Sequence, residues 1–273
     1  MKRRSARSKV TDFARVLAAL TQNCSGAAVF LALLLGAGRA RAVRPFVTDD
    51  ARVVGQKRAQ LETWLMLDRQ TLEHDAFGAF GPSNWLELTA GVMHGTVYSG
   101  PDGGYSITGP ILQGKALLAP VRKDSWPGVA VVAGVVAPWG EGGFRPPGWD
   151  AFAFAAMTES LGDERVLVHV NLGFAIGEGE ERAEKLLVAG LAAQVRLVGG
   201  LHALGEIYAG DPQAAADTQP SVQLGGRYAF SDDVQVDATA GSSLVRAEDD
   251  AGNEIQFDRW ITVGLRLVSP ELW

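Results

Sequence analysis

The sequence predicts an all-β protein: an antiparallel transmembrane β-barrel of about twelve strands, with ten as the alternative, after a cleaved N-terminal signal peptide. Three features lead there. The first 42 residues have the layout of an export signal, the rest reads as alternating segments of roughly ten residues with no long apolar run, and the connections between segments alternate between short and long.

Lys2, Arg3, Arg4, Arg7 and Lys9 precede an apolar stretch from Gly26 to Gly38, and Ala40-Arg41-Ala42 supplies the small residues that signal peptidase reads. The apolar core is shorter than the roughly 20 residues needed to span a bilayer as a helix. The expected division is therefore a signal over 1–42 and a barrel domain over 43–273, with 43–57 an N-terminal segment in or under the lumen. Cys24, the only cysteine, precedes the apolar core, so it is not the lipid-modified cysteine of a lipoprotein and the mature chain has none. That excludes a disulfide scaffold and a thiolate metal site.

Removal of 1–42 takes eight of 25 basic residues and one of 31 acidic ones, so the net charge moves from −6 to −13. A surface of that sign repels nucleic acid. It suits a barrel facing the divalent-rich lipopolysaccharide layer of a Gram-negative bacterium.

Along the mature chain the clearest strand is Arg165 to Ile176. Val166, Val168, Val170, Leu172, Phe174 and Ile176 fall on one face, with Arg165, His169, Asn171 and Gly173 on the other. The same alternation marks Gln60 to Asp68, Asn84 to Thr96, Gln219 to Phe230, Val234 to Leu244 and Arg259 to Val268. Less regular strands fit Tyr105 to Ala119, Val129 to Ala137, Ala151 to Thr158, Leu186 to Leu197 and Leu201 to Ala209. These are eleven, and a bacterial single-chain barrel has an even number, so one is missed or overcounted. Val198 to Leu201 and Phe230 to Val234 read as tight turns, whereas Arg69 to Ser83, Trp139 to Gly148 and Arg246 to Glu254 read as long connections. Glu180 to Val198 also has helix-forming composition. Trp64, Trp85, Tyr98, Trp126, Trp139, Trp149, Tyr208, Tyr228 and Trp260 lie near strand ends and are candidates for interfacial girdles. A soluble β-sandwich also alternates, but over strands of about five or six residues.

The polar parity of these strands carries Glu62, Glu87, Lys115, His169, Asn171, Arg196, His202, Glu206, Arg227, Asp237 and Arg266. Charges facing lipid cost a few kcal/mol each near the midplane, so this set is expected to face the lumen. The four histidines lack metal-ligand spacing, and neither a Gly-x-Ser-x-Gly elbow nor a P-loop is present. No catalytic, metal or cofactor residue is assigned. An outer-membrane lipid hydrolase built on His169 or His202 is the enzymatic alternative.

Several phrases, in order, carry a resemblance: Arg44-Pro-Phe-Val-Thr-Asp-Asp50, Val136-Ala-Pro-Trp-Gly140, His169-Val-Asn-Leu-Gly-Phe174, Leu204-Gly-Glu-Ile-Tyr-Ala-Gly210 and Gln223 to Gln235. The chain resembles the outer-membrane β-barrel transporter family associated with the phenol meta-degradation pathway, over nearly its whole mature length. The resemblance implies uptake of small organic, often aromatic, compounds, and brings no catalytic residues. The expected function is an outer-membrane channel for small, aromatic or hydrophobic molecules. The alternatives are a closed structural or adhesive barrel, the lipid hydrolase, or a soluble periplasmic sandwich. Expected partners are outer-membrane lipid and lipopolysaccharide, the export and barrel-assembly machinery and a small solute, with no nucleic acid.

Overall fold

The computed structural model describes residues 46–98, 100, 103–178, 183–213, 219–245 and 257–272. The signal predicted over 1–42, the connection from Arg246 to Glu254 and Trp273 therefore lie outside the described residues.

Thirteen strands follow one another: β1 Ala59–Leu67, β2 Thr71–Ser83, β3 Leu86–Val97, β4 Gly104–Ile107, β5 Ile111–Ala119, β6 Gly128–Val136, β7 Asp150–Leu161, β8 Val166–Glu178, β9 Ala183–Val198, β10 Leu201–Ala209, β11 Ser221–Ala229, β12 Val234–Ser243 and β13 Arg259–Val268. A 3-10 turn, Gly142–Phe144, lies between β6 and β7. Every strand pairs antiparallel with its neighbour. β1 closes onto β13 with Gln60 opposite Val268 and Leu67 opposite Ile261. Twelve strands form the closed wall, and β4 is an extra ribbon on the upper part of β3, from His94 to Val97. Closure removes the exposed edges an open sheet would leave in lipid.

The strand missing from the sequence reading is β2, which occupies most of the span from Arg69 to Ser83 expected to be a long connection. Its alternation is obscured because its outer parity holds His74 and Gly78 while its inner parity changes from Glu73 and Asp75 to Phe77 and Ala79, so neither face is uniformly oily. Gly81 and Pro82 add turn chemistry where the pairing with β3 slips. Tyr105 to Ala119 is two strands, not one, since Pro110 withholds a ladder N–H and Gly109 passes so close to β6's end that a Cβ there would lie 1.8 Å from the Ala137 carbonyl oxygen. Ala183–Val198 is strand and not helix: β8 and β10 pair with it on both sides, which overrides its helix propensity.

One end of the barrel carries the short turns 84–85, 162–165, 199–200 and 230–233 and the longer 120–127, and the other carries the turn 68–70, the connection 137–149 and the upper ends of β10 and β12. In outer-membrane barrels the short turns face the periplasm. The outer wall is apolar at mid-height, with Leu172, Phe174, Leu191, Leu224, Ile261 and Val263 exposed. Exposed aromatics bound this belt: Trp85, Trp126 and Tyr228 toward the short-turn end, Tyr98, Trp139 and Trp149 toward the other. Trp64, Tyr208 and Trp260 are not girdle residues. Trp64 stacks on Phe77 at 5.3 Å, Tyr208 is buried, and the Trp260 indole N–H donates to Gln223 at 3.4 Å, all within the barrel.

The inside is not uniformly polar. Phe77, Met93, Ile111, Val132, Val136, Phe152 and Phe154 form a buried apolar cluster across β2 to β7. This accounts for β6 being apolar on both faces: Ala130, Val132 and Val136 pack inside while Val131 meets the exterior.

Candidate functional site

Residues 46–57 precede β1 and run inside the wall. Phe46 packs against Ala192 and Leu204 near mid-height, and the backbone then descends toward the short-turn end, where the Lys57 N–H donates to Gly81 at 2.8 Å. An irregular segment in such a place needs partners for its own N–H and C=O groups. Side chains of the wall provide them.

The Val47 and Thr48 N–H groups donate to the two carboxylate oxygens of Glu206, each at 2.9 Å. Gln223 holds that carboxylate from the neighbouring strand. The Asn171 amide, oriented so that both its atoms find partners, accepts the Asp49 N–H at 2.7 Å and donates to the Asp49 carbonyl at 2.9 Å, as an adjacent strand would. Lys115 pairs with the Asp49 carboxylate at 2.7 Å and donates to the Arg52 carbonyl at 3.3 Å. Lower down, the Ala51 N–H donates to the Thr158 hydroxyl at 2.9 Å, and that hydroxyl lies 3.0 Å from Nδ1 of His169. The Val54 N–H donates to Glu87 at 2.7 Å. Five side chains of the sequence-predicted set, Glu87, Lys115, His169, Asn171 and Glu206, thus converge on this segment, His169 through Thr158.

The others join the wall to itself. Arg227 and Asp237 face each other across β11 and β12 at 2.5 Å with both side chains fully buried. Arg227 also donates to Gln194 at 2.7 Å, and Gln194 donates to His202 at 3.0 Å. Arg266 donates to Gln60 at 2.8 Å and lies 3.9 Å from Glu62. Arg196, half-buried, sits opposite His202 in the β9–β10 register. Neither His169 nor His202 is hydrogen-bonded to a serine among the described residues.

The sequence reading missed Asp49, Gln60, Thr158, Gln194 and Gln223. The four wall residues are uncharged and share the parity of the named charges, so tracing that parity onward through Gln, Asn and Thr would have found them. For Asp49, in an irregular segment, alternation offers no signal.

The Glu206 clamp has a measurable consequence. Each buried N–H left without an acceptor costs about 1–3 kcal/mol, so in Glu206→Ala the amides of Val47 and Thr48 should exchange with solvent about tenfold or more faster than in the parent. Hydrogen exchange of the folded barrel in detergent measures this, and unchanged rates would mean that other contacts hold the segment.

A closed twelve-strand barrel with an apolar exterior bounded by aromatics is an outer-membrane fold, and the solved structures it matches include a channel and porins. The COG4313 outer membrane channel from Pseudomonas putida F1 aligns at a TM-score of 0.59 with 13% identity, covering 84% of this chain and 100% of that chain. A KdgM porin in complex with disordered oligogalacturonate aligns at 0.52 with 8% identity over 76% of this chain and 98% of that one. The NanC porin aligns at 0.52 with 7% identity over 77% and 98%. At such identities the likeness establishes the fold. The chain belongs to the family described as Uncharacterised conserved protein UCP029691, whose model matches residues 30–268. No curated protein matches the sequence.

Proposed function

We propose that the protein is a non-enzymatic outer-membrane channel for small organic molecules, and that residues 46–57 act as its gate. The observation that carries this reading is the nature of the segment's attachment. Backbone N–H groups bonded to Glu206, Thr158 and Glu87, and one ion pair between Asp49 and Lys115, hold it against the wall. Polar contacts of this kind contribute about 0.5–1.5 kcal/mol each, up to 3 where a charge takes part, and water can replace them, so the segment can leave while the wall stays closed. The apolar cluster on β2 to β7 provides a surface over which an aromatic or hydrophobic solute can pass. The resemblance to transporters associated with phenol degradation favours the same solute class. A closed barrel without transport is the second reading, favoured by the fully buried Arg227–Asp237 pair.

Gly190 offers a test. A Cβ placed there would lie 2.1 Å from Oγ1 of Thr48, in the segment, whereas β9 itself pairs normally at this position with Tyr208 and Asn171. Gly190→Val should therefore push the segment off the wall without breaking the wall. In planar bilayers the parent is expected to show brief, infrequent openings and Gly190→Val long ones, with conductance several times larger in time average. Two folded proteins that both pass no current would remove the channel reading in favour of the closed barrel.

A further inference from the structure

Above Phe46 the barrel opens into a cavity of about 560 Å³, the scale of a small-ligand pocket. Resting on the channel reading, and going beyond it to the solute class, we propose that this vestibule binds small organic cations that carry an aromatic or apolar group and rejects anions of the same shape.

Charge is the first ground. Glu73 and Asp75 project side by side from the inner face of β2, Asp211 comes from the connection after β10, and Asp258 stands just before β13. No Lys or Arg occurs among the described residues lining this cavity, while Lys115, Arg52 and Arg266 line an adjoining cavity nearer the short-turn end, Trp64 and Gln213 standing between the two. Carboxylates gathered in a concave, partly desolvated space focus a negative potential that concentrates cations and repels anions.

The wall chemistry is the second. Trp64, Tyr208 and Trp260 present aromatic surface to the same cavity. Aromatic faces attract ammonium groups, and more strongly where water is excluded, which is how quaternary ammonium ligands are recognised elsewhere. Phe46, from the interior segment, floors the cavity with a further ring.

The third ground is an acceptor awaiting a donor. Gln213 is 94% buried, lines the cavity, and its Oε1 has no hydrogen-bond partner among the described residues. A buried acceptor of that kind is costly to leave unmade, and an ammonium N–H would satisfy it.

The test is calorimetric titration of the folded mature chain in detergent with three probes of one shape: benzylammonium, benzyl alcohol and benzoate. Saturable binding of the cation is expected at an affinity about tenfold above the alcohol, with no binding of benzoate, and the preference should fall as salt is raised. Glu73→Gln/Asp75→Asn should reduce the cation to the level of the alcohol. If that pair perturbs folding, Asp211→Asn, in a connection, should weaken the cation alone. Benzoate binding as well as the cation, or a preference that survives these changes, would overturn the proposal. Binding of the cation by a barrel that passes no current would keep this inference and remove the channel reading, while conductance without cation preference would do the reverse.

Discussion

Arg227→Ala is expected to lower the stability of the folded barrel by about 3–5 kcal/mol. Both members of the Arg227–Asp237 pair are fully buried, and Arg227 also satisfies Gln194. Removing the guanidinium leaves the Asp237 carboxylate in a low-dielectric site without its counter-charge, and Gln194 without a donor, so the cost is that of an orphaned charge and not of one lost contact. The exchange of both partners for apolar groups, as in Arg227→Met/Asp237→Leu, should recover most of that loss, since no charge is then left behind and only the Gln194 acceptor stays unmet. Urea unfolding in detergent, followed by the heat-modifiable band on a gel, measures both variants. Equal losses in the single and double variants would mean that the pair's shape, not its charge, matters at this site.

The outer wall makes the complementary prediction. Leu172 lies at the middle of β8 and is 61% exposed, between Ala155 of β7 and Ala189 of β9. If that surface faces hydrocarbon, Leu172→Arg costs about 2–4 kcal/mol, the range for a cation at the midplane of a transmembrane barrel. On a water-facing surface the same change would be nearly silent. Moving the substitution to Tyr228, in the aromatic belt near the short-turn end, should reduce the cost to about 0–1 kcal/mol. Refolding into lipid vesicles against urea reads the depth dependence. A uniform small effect at both positions would contradict a membrane-spanning wall.

These two results bear on how the fold and the site are written in the sequence. The closed antiparallel wall is legible because lipid demands one oily face from every strand, and β8 or β13 obeys that demand residue by residue. β2 escapes notice because its outer face carries His74, bonded to His94 of β3, and its inner face is half charged and half apolar. β9 is ambiguous because Ala, Leu, Lys and Gln serve helix and strand alike, and only the partners on both sides decide. Inward parity located Glu206, Asn171 and Lys115. It said nothing of what they hold, because their partners are backbone groups of residues 46–57, and a backbone N–H has no signature in sequence. The pairing of Arg227 with Asp237 depends on the β11–β12 register, which follows from the turn at 230–233 and was within reach once both strands were placed.

In the gated-channel reading proposed above, residues 46–57 block the lumen and must move for solute to pass. Residues 43–273 contain no cysteine, so a cross-link can be placed at will. A Cβ at Gly190 would lie 3.1 Å from that of Thr48, slightly inside the usual disulfide separation of about 3.5–4.5 Å. Thr48→Cys/Gly190→Cys, oxidised, should tie the segment to β9, and single-channel recording before and after reduction tests the claim most directly. The expected result is a channel that is silent when oxidised, opens on reduction and closes again on reoxidation. Equal conductance in the two states, with the disulfide verified, would contradict it, because solute would then be passing without displacement of the segment.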